Sequence, residues 1–253
     1  MVRSREREET RSPAVRSCAT PFEADPVCYD SAYEAPGLAG HVLRSRLSLA
    51  LRLLGDGPGD VLDVGMGGGR LCVELTERGW TVSGLDPSRR MVELARQRVP
   101  SRADSLIVSR AEALPCPDAR FDAVLATGAI EFVDDLEGAL AELVRVARPG
   151  GRVVVSFPNY LLPYSLLNRL LIYPAARAAK RIVRSSRPAP PMHRHAMGRR
   201  RFEALLAAAG LELEGWEYVG VAAPRPLAQL LEGQSITAWM LASQIVFFAH
   251  RPS

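Results

Sequence analysis

Short apolar runs alternate with amphipathic stretches through the middle of the chain, and the two periods are distinct. Asp60–Val64 (DVLDV), Thr81–Leu85, Ser105–Ser109, Phe121–Ala126 and Arg152–Phe157 (RVVVSF) are short and β-branched-rich, which predicts buried strands. Between them lie helical patterns. One runs around Leu71–Arg78 and stops at Gly79. A second starts at Ser88, presents Met91, Leu94, Ala95 and Val99 on one face, and stops before Pro100. A third carries Leu136, Leu140, Leu143, Val144 and Ala147 at helical spacing and ends at Pro149-Gly150-Gly151. Strands alternating with helices require right-handed crossovers, hence a doubly wound α/β sheet.

The flanks read differently. Residues 1–20 are charged and Ser/Thr-rich and are expected to form a flexible tail. Pro21 to Leu54 is a helical lead-in, with Val42, Leu43, Leu47, Leu49, Ala50 and Leu53 at roughly helical spacing. After Pro158 the alternation breaks, and Tyr160–Arg201 is an insert with a Pro-rich link at Arg187–Met192. A helix over Arg201–Ala209 and strands over Leu211–Val221 and Gln244–His250 resume it, the two strands closing the sheet as an antiparallel pair. The predicted fold is a Rossmann-like sheet of seven strands, mostly parallel with an antiparallel last strand, plus a helical cap.

Composition narrows the class. Of 253 residues, 47% are hydrophobic, enough for a sizeable core, and the ordinary charged fraction excludes a fibrous or mainly disordered chain. No apolar run reaches the roughly 18 residues of a membrane span. The N-terminal stretch lacks a hydrophobic signal core, and Cys18, Cys28, Cys72 and Cys116 show no metal or disulfide spacing, so a reducing cytoplasmic setting and no metal site are expected.

Charge is uneven. Ten basic residues and no acidic one lie between Tyr160 and Phe202, leaving 22 basic against 28 acidic residues elsewhere. In Leu166–Arg184, arginines at helical spacing alternate with leucines. That pattern suits a cap helix with a solvated face, peripheral membrane contact, or an anionic acceptor. Nucleic acid is not expected, because no aromatic residues interleave with the arginines.

The chemistry concentrates in VLDVGMGGGRL, Val61 to Leu71. Strand one ends in Asp63, and Gly65, Gly67 and Gly69 then lead into a helix whose N-terminal N–H groups are free. The next strand ends in Asp86, 21 residues after Gly65, where a carboxylate can accept both hydroxyl hydrogens of a ribose. These features also fit a nicotinamide-dependent oxidoreductase. Two details oppose that reading. Arg70 stands where the dinucleotide fingerprint wants a small residue, and Asp63 would repel a pyrophosphate while suiting a cationic ligand.

With these residues the chain resembles class I S-adenosylmethionine-dependent methyltransferases of the broad ubiquinone/menaquinone-biosynthesis-like type, over about Val61 to Asn159. The resemblance implies that Asp63, Gly65, Met66, Gly67 and Gly69 form the first motif around the methionine end of the cofactor. It implies that Asp86-Pro87 holds the ribose and flanks the adenine, that Ala111 and Glu112 of AEALP lie beside the adenine, and that Thr127 to Glu131 runs beneath the methionine moiety. Val146 to Gly151 matches the turn before strand five. Three positions depart from the pattern: Arg110 replaces a frequent Asp, Gly68 a frequent Thr or Ser, and Met66 a frequent Cys.

The implied activity is methyl transfer to a small-molecule or lipid-like acceptor by a single domain over residues 21–253, with cap elements 21–54 and 160–200. A general base is needed only for a protonated acceptor, and the candidates are Glu131, His193 and His195. Tyr29 and Tyr33 of the lead-in could close over the cofactor. A cofactor-binding protein without turnover is the non-enzymatic alternative.

Overall fold

In the computed structural model, which describes residues 30–34, 38–159, 194–195, 197–221 and 242–253, the chain forms one seven-stranded sheet with helices on both faces. In chain order the elements are α1 (Leu38–Leu54), β1 (Asp60–Val64), α2 (Arg70–Glu77), β2 (Thr81–Asp86), α3 (Arg89–Arg98), β3 (Leu106–Val108), β4 (Phe121–Ala126), α4 (Leu136–Val146), β5 (Ala147–Pro158), α5 (Arg199–Ala208), β6 (Glu212–Val221) and β7 (Ala242–His250). Single 3₁₀ segments, Pro100–Ser105 and Ile130–Phe132, follow α3 and β4. The predicted tail, Tyr29, His193 and most of the basic insert lie outside the described residues.

The strand order is β3-β2-β1-β4-β5-β7-β6. Strands β1 to β5 pair in parallel, and β7 is antiparallel to both β5 and β6, as the alternation and its break after Pro158 predict. The order reverses between β1 and β4. The loops leaving the carboxyl ends of these two strands therefore diverge and open a crevice, the usual ligand position in an open α/β sheet.

The period-two pattern sorts side chains onto two faces. Leu62, Val64, Val124, Val153, Val155 and Phe247 join α4 and α5 in one core. There Phe202 of α5 stacks on Phe157 with ring centroids 4.4 Å apart. Val61, Val82, Ala123, Leu125, Val154 and Val246 face the other way, onto α1, α2 and α3. The lead-in helix α1 is thus a layer of the core: Leu49, Ala50, Leu51 and Leu54 are buried against the sheet.

Two helices begin where side-chain caps dictate. The Ser88 hydroxyl accepts the Met91 N–H at the start of α3, and Asp135 accepts the Gly138 N–H at the start of α4. Gly138 leaves room for that carboxylate, because a Cβ there would lie within 3.0 Å of it. Helix α2 differs. Gly69 precedes it with φ +78° and offers no side-chain cap, so the first-turn N–H groups are left to the loop and to ligands.

Candidate active site

The site is built on the turn between β1 and α2. Gly65, Gly67 and Gly69 all have positive φ, which L-residues with side chains rarely adopt. The Gly65 and Met66 N–H groups both donate to the Leu85 carbonyl, at 2.8 and 3.0 Å, which ties the turn to the end of β2. At that end sits Asp86, 8% exposed. One of its oxygens accepts the Gly67 N–H at 3.0 Å and the other the Ser88 N–H at 2.8 Å. The carboxylate is fixed in orientation by backbone on both sides, and it faces the crevice.

Two cavities flank this turn and share Gly65 and Gly67. The first is lined by Leu85, Asp86, Pro87, Met91, Ala111, Glu112, Phe132 and Val133, an apolar slot with an acid at its inner edge. The second is lined by Asp63, Met66, Gly68, Thr127, Arg46, Asp30 and Tyr33, a polar chamber. The structure therefore brings together Asp63, Gly65, Met66, Gly67, Asp86, Pro87, Ala111, Glu112 and Thr127. Gly69 lines neither cavity. It lets the turn pack on α3, where a Cβ would come within 3.0 Å of Ala95.

Asp63 is 2% exposed. Burial, chiefly, pushes its carboxyl up to about 7, and Asp86 adds to the rise, while the Cys72 thiol and the Arg46 charge oppose it. The Cys72 Sγ–H donates to it at 3.6 Å.

The departures from the family pattern have physical counterparts. A Cβ at Gly68 would lie within 3.0 Å of Arg98 and close to Asp30, so those side chains occupy the space of the missing hydroxyl residue. The Met66 thioether fills space over Gly84, where a Cβ would press on its sulfur. Arg70 lines the polar cavity and is tied to residues 30–34. Its Nε and Nη2 each donate to Asp30 at 3.0 Å, its Nη1 donates to Glu34 at 2.6 Å, and its guanidinium lies 4.9 Å from the Tyr33 ring centroid. Arg98 joins the same Asp30 carboxylate through both terminal nitrogens. Burial alone would raise the Asp30 carboxyl, but the Arg98 and Arg70 hydrogen bonds hold it below its ordinary range. Two arginines thus clasp residues 30–34 over the polar cavity.

Arg110, the third departure, donates to Glu112 and to Asp134. Glu112 also accepts the Asp134 N–H at 2.8 Å. Both oxygens of Glu112 are therefore engaged in bracing the rim.

The base candidates are placed differently from the cofactor residues. Sequence pattern puts Glu131 at the end of strand four. It sits instead in the one-turn 3₁₀ segment beyond it, 1% exposed, and lines neither cavity. Burial, chiefly, pushes its carboxyl up to about 7, against the pull of Arg46 and of a Gln244 hydrogen bond. His195 lines neither cavity as well. Its Nε2–H donates to the Val133 carbonyl at 2.9 Å, while the Arg194 N–H donates to the Glu131 carbonyl, also at 2.9 Å. Both bonds fix the chain after the insert to the 3₁₀ turn.

The site also contains residues that motif reasoning misses. Phe132 and Met91 complete the apolar slot, and Arg194 reaches its rim. Arg46 lines the polar cavity from α1. The available signal is its helical phase: it falls three residues after Leu43 and four before Ala50, a charge on the apolar face.

The residues present fit S-adenosylmethionine. An apolar slot suits adenine, a buried carboxylate at its inner edge suits a ribose, and an acid-bearing chamber across the glycine turn suits the sulfonium and amino-acid end.

Comparison with known proteins agrees. Residues 62–155 match the family model described as a methyltransferase domain. The chain is 40% identical over 109 residues to a malonyl-[acyl-carrier protein] O-methyltransferase of Serratia marcescens, covering 42% of each protein. It is 37% identical over 145 residues to a demethylmenaquinone methyltransferase of Tropheryma whipplei, covering 55% of this chain and 59% of that one. The chain thus spans about half the length of these relatives. A SAM-dependent methyltransferase structure from Thermotoga maritima superposes with a TM-score of 0.61 at 23% identity, over 91% of this chain and 98% of that one. The nicotinamide-dependent reading receives no support from these matches. Residues 62–155 are thus similar to a methyltransferase domain, and the fold is that of the SAM-dependent methyltransferase structure it superposes on.

Proposed function

We propose that the whole chain transfers a methyl group from S-adenosylmethionine to a small-molecule or lipid-like acceptor. The observation that carries this reading is the pair of cavities joined at Gly65 and Gly67, one apolar with Asp86 at its edge, the other bearing Asp63. When bound, the cofactor supplies a methyl group already activated on a sulfonium, so positioning contributes most of the rate. In this reading Asp86 receives the ribose hydroxyls. Leu85, Met91, Ala111 and Phe132 enclose the adenine and exclude water. Asp63 and Thr127 floor the polar chamber, and Gly65 and Gly67 allow close approach of backbone to ligand. Because Glu112 is spent on Arg110 and on the Asp134 N–H, adenine is held by shape and backbone groups. Glu131 and His195 lie outside both cavities, so proton transfer by either is not part of the proposal.

The named activities of the relatives support acceptors of two kinds, a carboxylate carried on a protein and a quinone-like ring. Calorimetric titration with S-adenosylhomocysteine is expected to give one saturable site, and NADH none. Incubating the protein and methyl-labelled cofactor with a cell extract should then yield a labelled product. NADH binding in place of S-adenosylhomocysteine would overturn the cofactor assignment, and ligand binding without any labelled product would leave a non-catalytic binding protein.

The run of ten basic residues without an acidic one between Tyr160 and Phe202 favours a finer reading, in which this segment meets an anionic lipid surface. The protein should then sediment with anionic liposomes at low salt. Changing Arg177, Arg181 and Arg184 together to Gln should release it, since each basic residue near such a surface is worth about 1 kcal/mol. Absence of sedimentation at low salt would rule the contact out.

A further inference from the structure

Residues 30–34 wall the polar cavity through Asp30 and Tyr33, yet no residue of this segment belongs to either hydrophobic core. Charge holds it instead. Asp30 is 7% exposed, and each of its oxygens accepts from both Arg70 and Arg98. Glu34 adds an ion pair to Arg70 Nη1 at 2.6 Å, and the Tyr33 ring lies under the same guanidinium. Arg44 of α1 also donates to the Tyr33 carbonyl.

The two arginines come from different helices. Arg70 opens α2 and Arg98 ends α3, so Asp30 bridges both helices beside the glycine turn. The helix dipole disfavours a cation at a helix start, and α2 has no side-chain cap there, so Arg70 gains from an anion beside it. Arg98 also donates to the Gly68 carbonyl at 2.7 Å, which fastens the ion pair to the turn itself. The Arg70 and Arg98 side chains remain 28% and 26% exposed, so water and salt reach them. A segment held by partly solvated charges, with no core side chain, opens at lower cost than the sheet beneath it unfolds.

We infer that residues 30–34 form a strap across the polar cavity, latched by Arg70 and Arg98 on Asp30, and that ligand enters and leaves only when this latch opens. The inference rests on the cofactor reading above and adds a control on the same site. Strap opening sets the rate at which cofactor and product exchange, and Arg98 is a positioning residue that acts through Asp30. Such a latch has a kinetic signature. It holds the strap shut with or without ligand, so weakening it raises the association and dissociation rates together and leaves their ratio nearly unchanged. A wall residue that only contacts ligand changes dissociation, and with it the affinity. Arg98 lines neither cavity, so it reports on the latch without touching ligand.

Surface plasmon resonance with S-adenosylhomocysteine on the immobilised full chain gives both rates. Arg98→Gln should raise each by about 5- to 20-fold while Kd changes by less than about threefold, the scale of losing charged hydrogen bonds that are partly solvated. Glu34→Gln, which leaves Gly68 untouched, should raise each by about two- to threefold. The ligand is a zwitterion without net charge, so salt acts mainly on the latch. Raising it from about 0.05 to about 0.5 M should speed exchange several-fold in the parent and much less in Arg98→Gln. The Tyr33 and Glu34 N–H groups, bonded to the Asp30 and Ser31 carbonyls at 3.1 and 3.0 Å, should exchange hydrogen faster in Arg98→Gln. Should Arg98→Gln fail to fold, Arg98→Lys keeps the charge without the fork and should still raise both rates about threefold. Rates unchanged in every variant overturn the strap and leave the cofactor reading in place, and so does faster dissociation alone with a matching loss of affinity. A parent protein that binds no S-adenosylhomocysteine overturns the cofactor reading and this inference with it.

Discussion

Asp86→Ala is expected to weaken S-adenosylhomocysteine binding by at least about 100-fold, equivalent to about 2.7 kcal/mol. The carboxylate does two things at once. It faces the crevice, and it accepts the N–H groups of Gly67 and Ser88 at 3.0 and 2.8 Å. Hydrogen bonds to an ionised group are worth about 1.5–3 kcal/mol each, and an alanine leaves two donors without that acceptor. Gly67 belongs to the turn shared by both cavities, and Ser88 caps α3, so the loss loosens the glycine turn as well as removing the ribose acceptor. A net destabilisation of about 2 kcal/mol would lower Tm by roughly 4–8 °C in a domain of this size. Asp86→Asn keeps the shape and one acceptor oxygen, and should fall between parent and alanine in both measurements. Calorimetry showing unchanged affinity in a folded Asp86→Ala protein would show that this acid does not hold the ligand.

Much of the sheet is legible because local physics and tertiary packing agree along it. Phe121–Ala126 is a strand in both pattern and structure, and Ser88 starts a helix in both because its hydroxyl can cap only there. The turn over Gly65, Gly67 and Gly69 reads correctly because nothing but glycine suits three positive φ angles so close together. What escapes the pattern depends on residues far apart in the chain. Arg70 reads only as a mismatch to a dinucleotide fingerprint until its partner Asp30, 40 residues earlier, is brought against it. Gly68 and Met66 read as variation until Arg98 and Gly84 are seen to occupy the complementary space. Glu131 reads as a strand end because apolar residues continue past Ala126, whereas Gly128 with φ +80° ends the strand direction and sends the acid into the core. Arg46 leaves one trace, a charge in the apolar phase of a helix, and nothing local says that its seat is a glycine 82 residues on.

Gly65→Val should abolish cofactor binding and cost more stability than any other single glycine change in the turn. Gly65 has φ +75°, and a Cβ there would meet the Ala129 Cβ well inside 3.0 Å. The left-handed conformation alone costs an ordinary L-residue about 1–2 kcal/mol, and a β-branched one fits it worse. The overlap adds a second penalty. Ala129 belongs to the loop after β4, which walls the apolar cavity, so relieving the clash pushes the two sides of the crevice apart and strains the Gly65 and Met66 bonds to Leu85. Gly67→Val separates the two effects. It also places a side chain at positive φ where, as at Gly65, both cavities meet, so the added bulk enters the ligand space, while the Ala129 overlap belongs to Gly65. It should abolish binding with a smaller fall in Tm. Gly79→Ala supplies the control, since φ is +87° there and a Cβ meets nothing within 4 Å. That variant should lose about 1 kcal/mol of stability and no affinity. Folded Gly65→Val and Gly67→Val proteins that bind S-adenosylhomocysteine normally would mean that the crevice between β1 and β4 is not where the ligand sits.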